Sequence, residues 1–408
     1  MHRRNVLPFA VLCTVPFILV LGNSMLIPVL PRIRTALHLT QAQTGLLITA
    51  FSVPAGLVIV FVGILSDRVG RKQVMVPSLV VYGAGGIMAA LAALLAGRPY
   101  WLVLAARVIQ GLGAAGTGPI ATAVAGDMFQ SQERTKAVGI LETSNGLGKV
   151  VSPVLGAGAA LLGWWAPFLL FAVLALPAAV GVWVLCPDPV PDPAHQGQQQ
   201  ATIRAYTAEL GRVFKEKGRS LTACYAAGAV VLLVLFGVLF YVSDALEERH
   251  GIGGLMKGVM IAVPIFVMSV TSLLAGLFLE KHVMLLKAAT VTGLALVAAS
   301  LGLLGFRSGL AWLGIHTAVM GLGSGLVLPS LNTMVTSAAG GQMRGMITSV
   351  YGAVRFLGVA AGPPVFGLIM DSRRISVFIP AAVAAGACAL FVLRALNQKL
   401  LTPPPGSH

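Results

Sequence analysis

The chain has 408 residues, 57% of them hydrophobic and only 10% charged, with 28 Lys/Arg against 13 Asp/Glu for a net charge of +15. Soluble domains carry about 25% charged residues, so a chain this poor in charge, with a mean hydropathy of +0.89, excludes an ordinary water-soluble fold and requires lipid as its solvent. The basic excess alone would suit nucleic acid, but its placement along the chain argues against that partner.

A helix needs about 20 mostly apolar residues to cross a bilayer, because every backbone polar group must be satisfied within the segment. Runs of that length stand near 6–30, 42–66, 75–96, 101–127, 135–160 and 165–186, and again near 221–243, 255–279, 284–306, 310–335, 343–369 and 375–396. The expectation is an all-α membrane fold of twelve spans, without the period-2 alternation of a membrane barrel. The first run follows Arg3 and Arg4 as a signal peptide would. It is too long for a signal h-region and lacks an A-x-A site, so it is read as the first span. Between the two sets of six lies a polar stretch containing "PDPVPDPAHQGQQQ" and "RVFKEKGR". The former suits a flexible linker and the latter a basic segment on the inner leaflet.

The predicted division is an N-terminal six-helix bundle at 1–186, a cytoplasmic linker at 187–220, a C-terminal bundle at 221–397 and a tail at 398–408. With both termini cytoplasmic, more than half of the Lys/Arg fall on the inner side, although Arg373 and Arg374 do not. That is the positive-inside bias, and it predicts a multi-pass protein of the inner (plasma) membrane. Cys13, Cys186, Cys224 and Cys388 sit in or at the ends of apolar spans and read as small hydrophobes, with no metal-ligand spacing.

Sliding the chain on itself by 210 residues places Gly111, Leu112 and Gly113 on Gly321, Leu322 and Gly323. The same shift places Pro119 on Pro329, Gln132 on Gln342, Arg134 on Arg344, Leu147 and Gly148 on Leu357 and Gly358, and Pro153 on Pro363. Two six-helix halves repeated in parallel imply a transporter whose site lies at their interface.

Three motifs sharpen this. "GILSDRVGRKQV" at 63–74 joins the second and third spans, where glycines permit a tight turn and Asp67, Arg68, Arg71 and Lys72 form a charge cluster. "RVIQGLGAAGTG" lies in the fourth span and "GKVVSPVLGA" in the fifth. In this order they resemble the major facilitator superfamily. The loop signature matches at Gly63, Leu65, Asp67, Arg68, Gly70, Arg71 and Lys72, and the R-x-x-Q-G element at Arg107, Gln110, Gly111 and Gly113. The antiporter element G-x-x-x-G-P-x-x-G-G matches at Gly148, Pro153 and Gly156, while Ser152 and Ala157 replace glycines. A second copy carries Gly358, Gly362, Pro363 and Gly367, whereas "GLFLEKH" at 276–282 is a worn echo of the loop.

The resemblance implies two pseudo-symmetric six-helix bundles, drug/proton antiport, no cofactor and a monomer. It also implies an inner gate in which Asp67 approaches the N-terminus of the eleventh span and Arg71 meets Asp127.

The fifth span raises its own question, because Glu142, Asn145 and Lys149 fall within about 60° of one another on a helix. Beside them Gly148, Ser152 and Gly156 form a stripe of small residues suited to close packing. An ionised side chain at mid-bilayer costs roughly 2.5–3.5 kcal/mol on insertion scales, so Glu142, Lys149, Arg107 and Arg355 should avoid lipid. Two arrangements remain open: a shared aqueous cavity, or a buried ion pair such as Glu142 with Arg107.

The predicted proton-coupling residues are Glu142, Lys149 and Arg107, and the predicted cavity residues are Asn23, Asn145, Lys149, Arg355, His316 and Asn332. Asn23 stands where relatives of this class often carry an acid. The expected partners are a small amphipathic solute, protons and the bilayer. Multidrug-like export by alternating access is the leading reading. An exporter or flippase of a specific anionic lipid or metabolite is the alternative, and a proton-coupled importer the weaker rival. No nucleophile–base pair, metal cluster or phosphate loop suggests an enzyme.

Overall fold

The computed structural model describes residues 3–94, 100–129, 131–186, 203–307, 309–338, 341–370 and 374–402. It excludes the side chains of 3–5, 64, 67, 131, 132, 135, 203–210, 341, 342, 374 and 375. Among the described residues all regular structure is helical. The helices are α1 (Arg3–Ser24), α2 (Leu30–Leu37), α3 (Gln41–Val69), α4 (Arg71–Leu94), α5 (Tyr100–Ala115), α6 (Gly118–Met128), α7 (Ser131–Ala159) and α8 (Ala166–Leu185). They continue with α9 (Ile203–Glu248), α10 (Gly254–Lys281), α11 (Leu286–Leu304), α12 (Leu310–Ser337), α13 (Gly341–Ile369), α14 (Arg374–Ala395) and the short α15 (Gln398–Leu401).

Among the described residues, eleven segments are long and apolar enough to span a membrane. The twelfth crossing is α7, 29 residues long but diluted by Glu142, Asn145 and Lys149. Its low hydropathy marks a helix whose surroundings are partly aqueous or protein, not lipid.

Two crossings are built from broken helices. The first consists of α1 and α2, separated by a 3₁₀ turn at Ile27–Val29 in which Pro28 lies within the turn and Pro31 opens α2. The first crossing therefore runs seven residues past the 6–30 window read from hydropathy. Freed carbonyls at such breaks need partners, and Ser243 of α9 donates its hydroxyl to the carbonyl of Ile27 at 2.6 Å. The fourth crossing consists of α5 and α6, which meet at Gly116–Thr117. α2 ends at His38 in the left-handed conformation, and α3 opens on a capping box between Thr40 and Gln43. α3 stops at Gly70, whose φ of 116° reverses the chain into α4.

The helix through 203–248 is continuous, so residues 203–220, assigned from composition to a linker, are helical and lead directly into the seventh crossing. Residues 187–202 lie outside the described residues.

The 210-residue repeat is visible in the packing. A Cβ on Gly148 or Gly156 of α7 would strike the carbonyl of Phe17 at 2.9 Å or of Met25 at 1.9 Å, on the first crossing. In α13 a Cβ on Gly358, the counterpart of Gly148, or on Gly362, the counterpart of Ser152, would strike the carbonyls of Ala229 and Leu233 on the seventh crossing, both at 2.4 Å. The small-residue stripes are thus seams inside each half. Across the halves, Gly258 of α10 meets the Pro153 carbonyl of α7, and Gly45 of α3 meets the Pro363–Pro364 backbone of α13.

Candidate functional site: a cavity between the two halves

The seam between α3 and α13 is tight at one end and loose at the other. A Cβ placed on Gly45 would lie 2.6 Å from its neighbour, on Gly56 2.9 Å, and on Gly63 4.0 Å. Gly63 is near the 63–72 turn, so the halves part towards that face and close towards the opposite one. Between them lies a cavity of about 760 Å³, lined from Asn23 and Phe51 in its depth to Arg71 and Arg344 near the turn.

Glu142, Asn145 and Lys149 of α7 line this cavity, as do Asn332 of α12 and Arg355 of α13. Glu142 is exposed and Lys149 half-buried. Among the described residues none of Glu142, Lys149 or Arg355 has a hydrogen-bond or ion-pair partner, although Lys149 feels both the attraction of Glu142 and the repulsion of Arg355. Apolar side chains including Phe236, Leu239, Ile265, Met268 and Phe356 complete the wall. Such a chamber can hold an amphipathic solute, with polar groups gathered on one side and adaptable hydrophobes around them.

Arg107 corrects the expectation for it. It is fully buried and does not reach the cavity. Its guanidinium donates to the carbonyls of Leu47 (3.1 Å) and Gly22 (2.8 Å), to Asn23 Oδ1 (3.0 Å) and to Gln110 Oε1 (2.5 Å). The rings of Phe51 and Phe171 flank it at 4.5 and 5.9 Å. No acid pairs with it among the described residues, which removes the Glu142–Arg107 alternative. Asn23 therefore has two roles, since it lines the cavity floor and holds Arg107, while its amide donates to Ser52 at 2.7 Å. His316 is a second correction: it stands away from the cavity, edge-on to Trp312 at 4.2 Å. Its packing against a neighbour one helical turn away explains its place in the span.

Near the 63–72 turn, Arg71 Nε and Asp127 Oδ2 are 2.6 Å apart. Lys72 donates to the Cys186 carbonyl at 3.0 Å and lies 5.5 Å from the Trp183 ring. Arg68 is exposed, Gly63 lines the cavity and Gly70 makes the turn. The side chain of Asp67 lies outside the described residues. The antiporter stripe, Gly148, Ser152, Pro153 and Gly156, faces packed backbone at its glycines, as does the second copy at Gly358, Gly362 and Pro363.

The closed face holds a feature that sequence reasoning missed. Arg34 of α2 pairs with Asp244 of α9 at 2.9 Å and also with Glu248. Gln41 of α3 donates to the same Asp244 at 3.0 Å, and Thr49 of α3 reaches the Ala360 carbonyl of α13 at 2.6 Å. Beside them Lys257 and Glu247 pair at 2.5 Å within the second half. Asp244 is only 8% exposed, a buried acid at the end of the seventh crossing. The window 221–243 ended one residue too soon to include it. Acids grouped at the end of an apolar run, facing a base in a break-prone first crossing, were the available signal.

A sequence profile described as the Major Facilitator Superfamily matches residues 12–363. The chain belongs to the major facilitator superfamily. It is 36% identical over 390 residues to the "Bacillibactin exporter" of Bacillus subtilis (strain 168), covering 95% of this chain and 96% of that one. It is 25% identical over 371 residues to "Multidrug resistance protein 2" of the same organism, covering 89% and 88%. Among solved structures, the fold superposes on a D-xylose-proton symporter with a TM-score of 0.77 at 13% identity, over 97% of this chain and 99% of the other. This major facilitator protein is a multi-pass membrane transporter, and the expectations of an all-α fold and of no enzyme activity stand. A likeness to a symporter at that identity speaks for the fold and leaves direction open.

Proposed function

We propose that this transporter exports an amphipathic small molecule across the inner membrane by alternating access, with both termini and the 63–72 turn on the cytoplasmic side. The observation that carries the reading is the cavity between the halves, open towards the turn and sealed at the opposite face by Arg34, Asp244, Glu248 and Gln41. Similarity to an exporter over nearly the whole chain supports the outward direction. In this reading the molecule stands inward-facing. Solute enters from the cytoplasm, the halves rock, and the Arg34–Asp244 contacts part while the Arg71–Asp127 region closes. Proton antiport supplies the drive in the leading form, with Glu142, exposed on the cavity wall, as the coupling residue and Lys149 as its neighbour. The protein works as a monomer, and the antiporter stripes let α7 and α13 pivot as rigid seams within their own halves.

The test is dye transport in proteoliposomes with and without an imposed pH gradient. Gradient-dependent movement that Glu142→Gln abolishes is expected. Full gradient-driven transport by Glu142→Gln would show that coupling resides elsewhere.

A second reading is favoured by one observation: among the described residues, the cavity wall carries two cations without a protein partner, Lys149 and Arg355, and one acid, Glu142. An exporter of a specific anionic metabolite, siderophore-like in chemistry as the bacillibactin relative suggests, fits that balance better than a carrier of cationic drugs.

A further inference from the structure

We infer that Lys149 and Arg355 are the two jaws of an oxyanion clamp, one supplied by each half, which holds the anionic group of an amphipathic solute between them. The inference rests on the second export reading and gives its solute a charge and a seat.

Arg355 is built to wait for a ligand. Its guanidinium carbon stands 5.4 Å from the Tyr351 ring, and Tyr351 stacks at 5.8 Å on Tyr225. The Tyr225 hydroxyl is anchored in turn to the carbonyl of Ile347 at 3.0 Å. This aromatic pillar fixes the cation's position without answering its donors, and Arg355 Nε is buried with no partner. A cavity-lining guanidinium with no protein acceptor among the described residues has its donors left for a solute's oxygens. Holding the guanidinium in place beforehand also lowers the ordering cost of binding. On the facing half, Lys149 has no partner among the described residues and is repelled by Arg355 across the shared cavity. A carboxylate, catecholate or phosphate oxygen pair accepts charge-assisted hydrogen bonds from both.

Two consequences follow from the geometry. The jaws belong to different halves, so like-charge repulsion holds the empty cavity open and a bound anion draws its walls together. Glu142 attracts the same ammonium and repels the anion, so neutralising Glu142 tightens anion binding. For an anionic solute the membrane potential, negative inside, is itself the outward drive.

The experiment measures binding of 2-naphthoate, its neutral analogue 2-naphthamide and the cation 2-naphthylmethylammonium to the full chain in detergent, by thermal shift. The clamp predicts that naphthoate raises the melting temperature and that Lys149→Gln and Arg355→Gln each weaken it at least ten-fold. Lys149→Arg should retain binding, Glu142→Gln should tighten it several-fold, and naphthamide should be indifferent to all four changes. Unliganded melting curves of each variant separate lost binding from lost folding, and Lys149→Arg serves where a glutamine variant does not fold. Naphthoate affinity unchanged by both glutamine variants overturns the clamp. So does preferential binding of the cation with loss in Glu142→Gln, or failure of the folded protein to bind any of the three. Proteoliposome dye transport needs neither jaw nor naphthoate, so export can stand while the clamp falls, and its own failure is read there.

Discussion

Arg107 and Arg355 sit at bilayer depth in the same molecule and are treated in opposite ways. Around Arg107 the first, second and fourth crossings converge so that every side of the guanidinium meets a carbonyl, an amide oxygen or a ring face. Around Arg355 the ring of Tyr351 supplies one face, and the side chain lines a cavity with no protein acceptor for its donors among the described residues. The first arrangement is a structural rivet: a buried cation whose desolvation is offset by fixed dipoles and which holds one half together. The second leaves its desolvation to be offset by water or by cargo. Burial of a charge therefore does not reveal its purpose, whereas whether its partners are already present does.

Breaking that contrast should hurt most at Arg107. Arg107→Leu takes the guanidinium away from the buried side-chain oxygens of Asn23 and Gln110, at about 1–3 kcal/mol each. The expected outcome is loss of folded protein, read by size-exclusion fluorescence of a tagged chain; normal yield and melting temperature would remove the rivet. Removing one side of the closed-face lock comes next. Asp244→Asn weakens a charge-assisted contact worth about 1.5–3 kcal/mol, so the population should shift roughly ten-fold or more towards opening at that face. Spin labels spanning α2 and α9 would report this as a longer distance, and an unchanged distance distribution would show that the lock is not limiting.

Arg355→Gln is the informative counterpart to Arg107→Leu. With no protein partner to orphan, its melting temperature should match or slightly exceed that of the unsubstituted chain, and only solute binding should suffer. A large loss of stability would place Arg355 in the structural class. The smallest effect is expected for Arg71→Gln, since a partly exposed pair such as Arg71–Asp127 contributes about 0–1 kcal/mol. Its stability should hold within error, and any transport defect would then report on gating.

Much of the fold was legible because lipid imposes length and hydropathy on each crossing, and because the halves share glycines and prolines at a fixed offset. Those same residues mark backbone contacts inside each half, as the Gly148–Phe17 and Gly358–Ala229 approaches show. The cavity wall was partly legible, since Glu142, Asn145 and Lys149 share a helical stripe that only a non-lipid environment tolerates. Arg107 and His316 were misplaced because a helical wheel gives direction relative to a helix, not what the neighbouring helices bring to that side. The Arg34–Asp244 lock was missed for a different reason. It joins residues 210 apart at the margins of two spans, where a hydropathy window counts charges as loop and cannot pair them.

The central claim is that Lys149 and Arg355 face water between the halves while Arg107 does not, and that water reaches them from the side of the 63–72 turn. Single cysteines at Asn145 and Arg355, in a background lacking the four native thiols, can be exposed to a membrane-impermeant thiol reagent from either side of oriented vesicles. The account predicts rapid labelling of both from the face bearing the turn, and protection from the opposite face that Asp244→Asn relieves. Absence of labelling from both faces, in both backgrounds, would mean that these positions are dry and that no aqueous chamber divides the halves.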